Sequence, residues 1–240
     1  PEEVEEIKII EEVESLDVVV PIDFPKDIFI NSVDIDSDSL TDMEEELFDT
    51  DSGTWDTDED GYNDGREVLN LYNPKGIAPV KLIDSGTVLE YVNPTWQYRM
   101  YYPISWIVGE VDNQADQVLF SAITGDFIEI RAISKLPDES FKEWFVKNAV
   151  GQKFTDLTIF SNRFEQEGRK RKDDLVVYFE DEAVVYVMIY HPGTTGSIPY
   201  RHIMQVAYQS FRPTKVEKEI PEQVTLPTVT TTTTTSTPAL

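Results

Sequence analysis

Cysteine is absent from this chain of 240 residues, and histidine occurs only 2 times. That excludes disulfides, thiolate metal centres and a cysteine nucleophile, and leaves little with which to build a histidine-rich zinc or iron site. Basic residues are also scarce, with 20 Lys and Arg against 46 Asp and Glu and a formal net charge of -26. Such a charge excludes simple electrostatic docking onto nucleic acid or an anionic membrane leaflet. No apolar run approaches the roughly 20 residues that a membrane helix needs. The 40% hydrophobic content still suffices for a core in at least one domain. The chain begins at Pro1, so any signal or anchor would lie upstream of it.

What is present is a concentrated block of acid. Residues 1–33 carry 10 acidic and 2 basic side chains, residues 34–67 carry 15 and 1, and residues 68–240 carry 21 and 17. These differences of -8, -14 and -4 place the acidity in the first 67 residues and leave a nearly balanced remainder. Residues 1–33 mix Glu with Val, Ile and Pro and read as an extended spacer, within which the apolar Val18–Ile22 is β-prone. Residues 213–240, with a Thr run from Thr230 to Thr235, read as a Thr/Pro tail suited to O-glycans.

Within the acidic block the spacing is that of calcium ligands. From Asp56 the chain reads D-T-D-E-D-G-Y-N-D-G-R-E. It places Asp56, Asp58, Asp60, Asp64 and Glu67 at the side-chain positions of a twelve-residue calcium loop, Gly61 at its turn and the Tyr62 carbonyl between. Alternate residues of a tight loop converge on its centre, where calcium takes about 6 to 8 oxygen ligands. A second copy from Asp34 offers Asp34, Asp36, Asp38, Asp42 and Glu45, with the Leu40 carbonyl. It departs only at Ser39, where glycine is usual, which predicts a strained turn. A solvated acidic run explains the composition but not the repeated offsets. Magnesium, which prefers water and octahedral geometry, suits such loops poorly.

No long helix precedes Asp56, so these are not paired EF-hands; each loop is expected to lead into a short helix, Thr41–Phe48 and Gly65–Tyr72. Residues 32–76 thus resemble tandem thrombospondin type 3 repeats of the bacterial kind. The resemblance implies two or more structural calcium ions, and it makes Asp49 and Asp51 candidates for ion sharing between repeats. It also leads us to expect that nothing apolar in this segment holds it folded.

After Pro79, apolar segments at Thr87–Val92, Gln97–Tyr101, Trp106–Val111, Val118–Ile123, Phe127–Ile133, Leu175–Phe179 and Val184–Tyr190 read as strands. The last is apolar at nearly every position and needs cover on both faces. Two amphipathic stretches, Glu139–Val150 with Phe141, Trp144, Phe145 and Val150, and Tyr200–Phe211 with Ile203, Met204, Ala207 and Phe211, can supply it. The expected fold class is therefore α+β, an antiparallel sheet covered by helices, preceded by a small loop-helix module. The segment Tyr101-Tyr102-Pro103-Ile104-Ser105-Trp106, the helix with Phe141 and Trp144, the two-faced hairpin and a closing helix ending in Ser210-Phe211 resemble the PsbP-like family over residues 86–212. That resemblance implies a non-enzymatic binding or assembly role.

Catalytic signals are few. His191 and His202 read as surface or capping residues, and no hydrolase serine context, dinucleotide fingerprint or phosphate loop occurs. The basic Arg169-Lys170-Arg171-Lys172 reads as a solvated hairpin loop. The first expectation for function is a calcium-stabilised extracellular or cell-surface protein, since such loops presuppose the calcium found outside cells. It divides into a 1–33 spacer or donor segment, 34–76 repeats, an 86–212 binding domain and a 213–240 tail. The second is a subunit of a filament or surface layer, binding other copies of itself by strand addition. An enzyme is the third, with least in its favour.

Overall fold

The computed structural model describes residues 21–194, 196–213, 218–224 and 226. Two short helices come first, α1 (Asp42–Phe48) and α2 (Asp64–Leu69). Thr41 and Glu44 form a reciprocal capping box that starts α1, and the Asn63 side chain caps α2. α2 stops at Leu69, short of the expected Tyr72, because Leu71 turns into the left-handed region at φ 63°.

A two-stranded ribbon, β1 (Val88–Val92) and β2 (Arg99–Pro103), precedes the main sheet. That sheet comprises β3 (Ile107–Glu110), β4 (Gln117–Ser121), β5 (Phe127–Ser134), β6 (Leu157–Ser161), β7 (Glu167–Arg171), β8 (Val176–Glu180) and β9 (Val184–His191). The order is β3-β4-β5-β9-β8-β7-β6, every neighbour antiparallel. Helices α3 (Phe141–Asn148) and α4 (Arg201–Ser210) complete the α+β architecture.

The two-faced reading of β9 holds. Tyr186, Met188 and Tyr190 face a large core that includes Ile203, Met204 and Ala207 of α4. Val185, Val187 and Ile189 face a second cluster beneath Phe141, Trp144 and Phe145 of α3. Two strands, β6 and β7, were not expected from the sequence. The basic run is mostly β7: Arg169 lies over the Phe141 ring at 4.4 Å, Lys170 pairs with Asp174 at 2.6 Å and Arg171 with Asp173 at 2.7 Å. Its cations are held by the α3 ring and by the aspartates of the following turn, so charge concealed a strand.

The acidic repeats are not held by acid alone, contrary to expectation. Leu40, Phe48, Val68 and Leu71 are fully buried in the same core as α4, and α2 packs against α4. The Thr41 hydroxyl donates to the Pro199 carbonyl at 2.6 Å, and the Glu44 carboxylate accepts from the backbone of His202 and lies 3.0 Å from its Nδ1. His202 is therefore buried, not a surface residue. Residues 21–33 do not run free as a spacer: Ile22 and Phe24 pack on the α3 cluster, and Asn31 bridges to Ile198. Val18–Val20 of the expected donor segment and the Thr230–Thr235 run lie outside the described residues.

Candidate metal centre

The two loops have one backbone plan, offset by 22 residues. Ser37 and Glu59 both have positive φ, 64° and 62°. So do Ser39 and Gly61, at 92° and 96°. Gly61 takes this conformation freely, whereas Ser39 holds it at a cost on the order of 1–3 kcal/mol. The strain expected at Ser39 is thus placed at that residue.

Aspartates fold each loop by accepting from nearby backbone N–H groups, position for position. Asp34 Oδ2 accepts from Ser39 at 3.1 Å, and Asp56 Oδ2 from Gly61 at 2.8 Å. Asp36 accepts from Asp38 at 3.2 Å, and Asp58 from Asp60 at 3.0 Å. Asp38 Oδ1 accepts from Leu40 at 2.8 Å, and Asp60 Oδ1 from Tyr62 at 3.0 Å. Asp42 accepts from Ile35 at 3.0 Å, and Asp64 from Thr57 at 2.9 Å. Ligand-bearing oxygens of Asp34, Asp36 and Asp38 lie within 4.8 Å of one another, as do those of Asp56, Asp58 and Asp60.

The loops also interlock. Asp38 Oδ2 accepts from Gly65 N at 2.7 Å, and a Cβ at position 65 would stand 2.6 Å from the Asp38 carbonyl oxygen. Only glycine lets the first loop sit this closely on the first turn of α2. Asp60 Oδ2 accepts from Ala78 N at 2.8 Å, tying the second loop to the chain beyond the repeats.

Oxygens that take no part in folding the loops remain inside them. Glu45 and Glu67 are each 1% exposed. Both Glu45 carboxylate oxygens and one of Glu67 are buried without a hydrogen-bond partner among the described residues, as are Asp36 Oδ2, Asp56 Oδ1 and Asp58 Oδ2. Unpaired buried carboxylates are strongly unfavourable as anions, and repulsion at 4.8 Å adds roughly 3.5 kcal/mol per pair at an effective dielectric constant near 20. Burial pushes Glu45 up to about 8, with repulsion from Asp36, Asp38, Asp42 and Asp64 adding to it. Burial likewise pushes Glu67 up to about 8, although a hydrogen bond from Gln223 opposes the shift. Asp38 and Asp58 rise to about 6 for the same first reason.

These features fit a hard dication better than protons or water. Each loop gathers three carboxylates within reach of one ion and leaves some buried oxygens without a partner among the described residues, a donor set that a hard dication such as calcium could use. Of the carboxylates named from the sequence, the structure brings together Asp34, Asp36 and Asp38 in one loop and Asp56, Asp58 and Asp60 in the other, while Asp42 and Asp64 brace their loops by accepting from Ile35 and Thr57, and Glu45 and Glu67 are buried. Asp49, offered for sharing by the repeat resemblance, is exposed and pairs with Lys75. Gly65 and Gln223 were not recognised from the sequence; Gly65 is part of the repeat but carries no donor side chain, and Gln223 stands far away in the chain.

Elsewhere, several partly or fully buried polar groups pair with one another. His191 lies 2.7 Å from Glu129 and stacks on Phe127 at 4.4 Å, while Tyr190 donates to Asp126 at 2.8 Å.

No family model matches the chain, and no curated protein is significantly similar to it. Among solved structures, the cyanobacterial PsbP (CyanoP) from Synechocystis sp. PCC 6803 is similar over 53% of this chain and 93% of its own, at 10% identity and a TM-score of 0.37. A protein from Bacteroides thetaiotaomicron VPI-5482 is similar over 53% of this chain at 11% identity and a TM-score of 0.34, and the match spans 48% of that protein.

Proposed function

We propose that the chain is a non-enzymatic, calcium-stabilised protein of the cell exterior, whose acidic loops each bind one structural ion and whose α+β body serves binding or assembly. The observation that carries this reading is the pair of buried glutamates, Glu45 and Glu67, set at equal offsets in two congruent loops, with both oxygens of the first and one of the second lacking a partner among the described residues. Calcium would be held by Asp34, Asp36, Asp38, Asp42 and Glu45 in one loop and by Asp56, Asp58, Asp60, Asp64 and Glu67 in the other, with the Leu40 and Tyr62 carbonyls. The ion supplies charge neutralisation and cross-linking, not reaction chemistry. Millimolar calcium outside cells suits sites of this kind, which supports an extracellular location. The binding role of the body rests on its PsbP-like sequence landmarks.

Terbium, an oxygen-seeking ion that emits when excited through a nearby aromatic ring, tests the loops separately. Titration should produce emission through Trp55 and Tyr62. Asp58→Ala should remove most of it, whereas Asp36→Ala should leave the second loop's signal in place. Equal emission from Asp58→Ala and the parent chain would sink this assignment.

A self-assembling subunit is the second reading, supported by the outer edges of β3 and β6, which pair with no further strand among the described residues and where Ile107 and Ile159 are exposed. Unpaired backbone at a sheet edge accepts an added strand. A calcium-loaded chain that sediments as a monomer at high concentration disposes of it.

A further inference from the structure

The C-terminal segment, which composition marks as a tail, is seated on the second acidic loop. Ile220 is buried in the main core, and the Pro221 carbonyl accepts from the Tyr72 hydroxyl at 2.8 Å. Gln223, only 7% exposed, donates from Nε2 to Glu67 Oε1 at 2.8 Å. The Val224 carbonyl then accepts from the Tyr62 hydroxyl at 2.9 Å. Leu226 lies over Gly61, its Cδ1 3.1 Å from where a Cβ at that glycine would stand. Leu226, Val224 and Gln223 therefore touch, respectively, the turn, the seventh and the twelfth positions of this loop. Among the described residues, neither Glu45 oxygen in the first loop has a comparable donor.

The chemistry of the contact matters. A lysine or arginine on Glu67 would neutralise the carboxylate and compete with a cation. An amide N–H carries no net charge, and the oxygen that accepts it retains a second lone pair for a metal. Gln223 thus fixes the orientation of Glu67 without discharging it. The Gln223 carbonyl oxygen is itself buried beside the site with no partner among the described residues. Hydrogen-bond donors that orient metal-ligating side chains are commonly worth about 10- to 100-fold in metal affinity.

We infer that Gln223 is a positioning residue of the second metal site, and that residues 218–224 with Leu226 form a strap whose docking is coupled to calcium at that loop. This rests on the calcium reading above. Coupling is reciprocal: a docked strap tightens the ion, and the ion tightens the strap. It makes the two loops unequal, with the second the tighter site, since the first has the strained Ser39 and no strap.

Calcium titration of the full chain and of Gln223→Ala by calorimetry tests the positioning role. One of two sites should weaken by about 10- to 100-fold, with the other unchanged. Gln223→Met, which keeps bulk without a donor, should weaken the same site; recovery of full affinity by Met would overturn the hydrogen-bond role. Hydrogen exchange on the unaltered chain tests the coupling without any variant. Adding calcium should slow exchange at residues 218–224, and exchange there that is indifferent to calcium would overturn the strap. Unchanged affinities in Gln223→Ala would refute the positioning role while leaving calcium binding intact, whereas no calcium uptake by the unaltered chain would remove the underlying reading as well.

Discussion

Removing calcium at pH 8 is expected to lower the thermal midpoint of the full chain by roughly 10–20 °C. An ion present at about 100 times its dissociation constant contributes about 2.7 kcal/mol, and two such ions about 5 kcal/mol. For a domain of this size each kcal/mol moves the midpoint by about 2–4 °C. The effect should shrink towards pH 5, and the sign follows from the buried glutamates. Glu45 and Glu67, pushed up to about 8 by burial, hold protons in the folded ion-free chain that the unfolded chain has already released. Their stabilising protonation is complete below about pH 4.5 and is lost as pH rises through about 8. The chelated protein should therefore become less stable from pH 5 to pH 8, while calcium, replacing those protons, should stabilise it most at the upper end. Scanning calorimetry in calcium and in chelator at both pH values measures this. A chelated midpoint that rises steadily with pH would contradict the carboxylate assignments.

Replacing Trp144 by Ala should cost about 3–5 kcal/mol, because a large buried ring would leave a cavity that α3 cannot fill by collapse. Trp144 is fully buried, stacked on Phe141 at 6.0 Å and edge-on to Tyr178 at 6.4 Å. The cluster it belongs to lies across the sheet from α4 and the repeats. Urea unfolding in saturating calcium should show the loss as a lower midpoint at unchanged slope. A cost below 1 kcal/mol would mean that α3 contributes little to the body.

The two congruent acidic loops were legible because carboxylates stand at fixed offsets within each, and the same offsets recur 22 residues apart. The apolar stripe of α3 and the two-faced β9 were legible for a related reason, since burial imposes a period. What stayed hidden lacks side-chain periodicity. β7 carries Arg169, Lys170 and Arg171 in a strand because each cation is held, Arg169 over the Phe141 ring of α3 and Lys170 and Arg171 by Asp174 and Asp173 in the turn that follows, and a run of cations shows no apolar period. The strap meets Tyr72 and Tyr62 through the carbonyls of Pro221 and Val224, which any residue can offer. The repeats' apolar anchors, Leu40 and Phe48, stand too far apart among acids to register as a stripe, yet both are buried.

Calorimetric titration of the chelator-stripped full chain with calcium at pH 8 addresses the central claim most directly. Two ions per chain should bind in two distinguishable steps at or below millimolar concentration, with release of protons from the buried glutamates. A titration that shows no heat beyond dilution at millimolar calcium would contradict it.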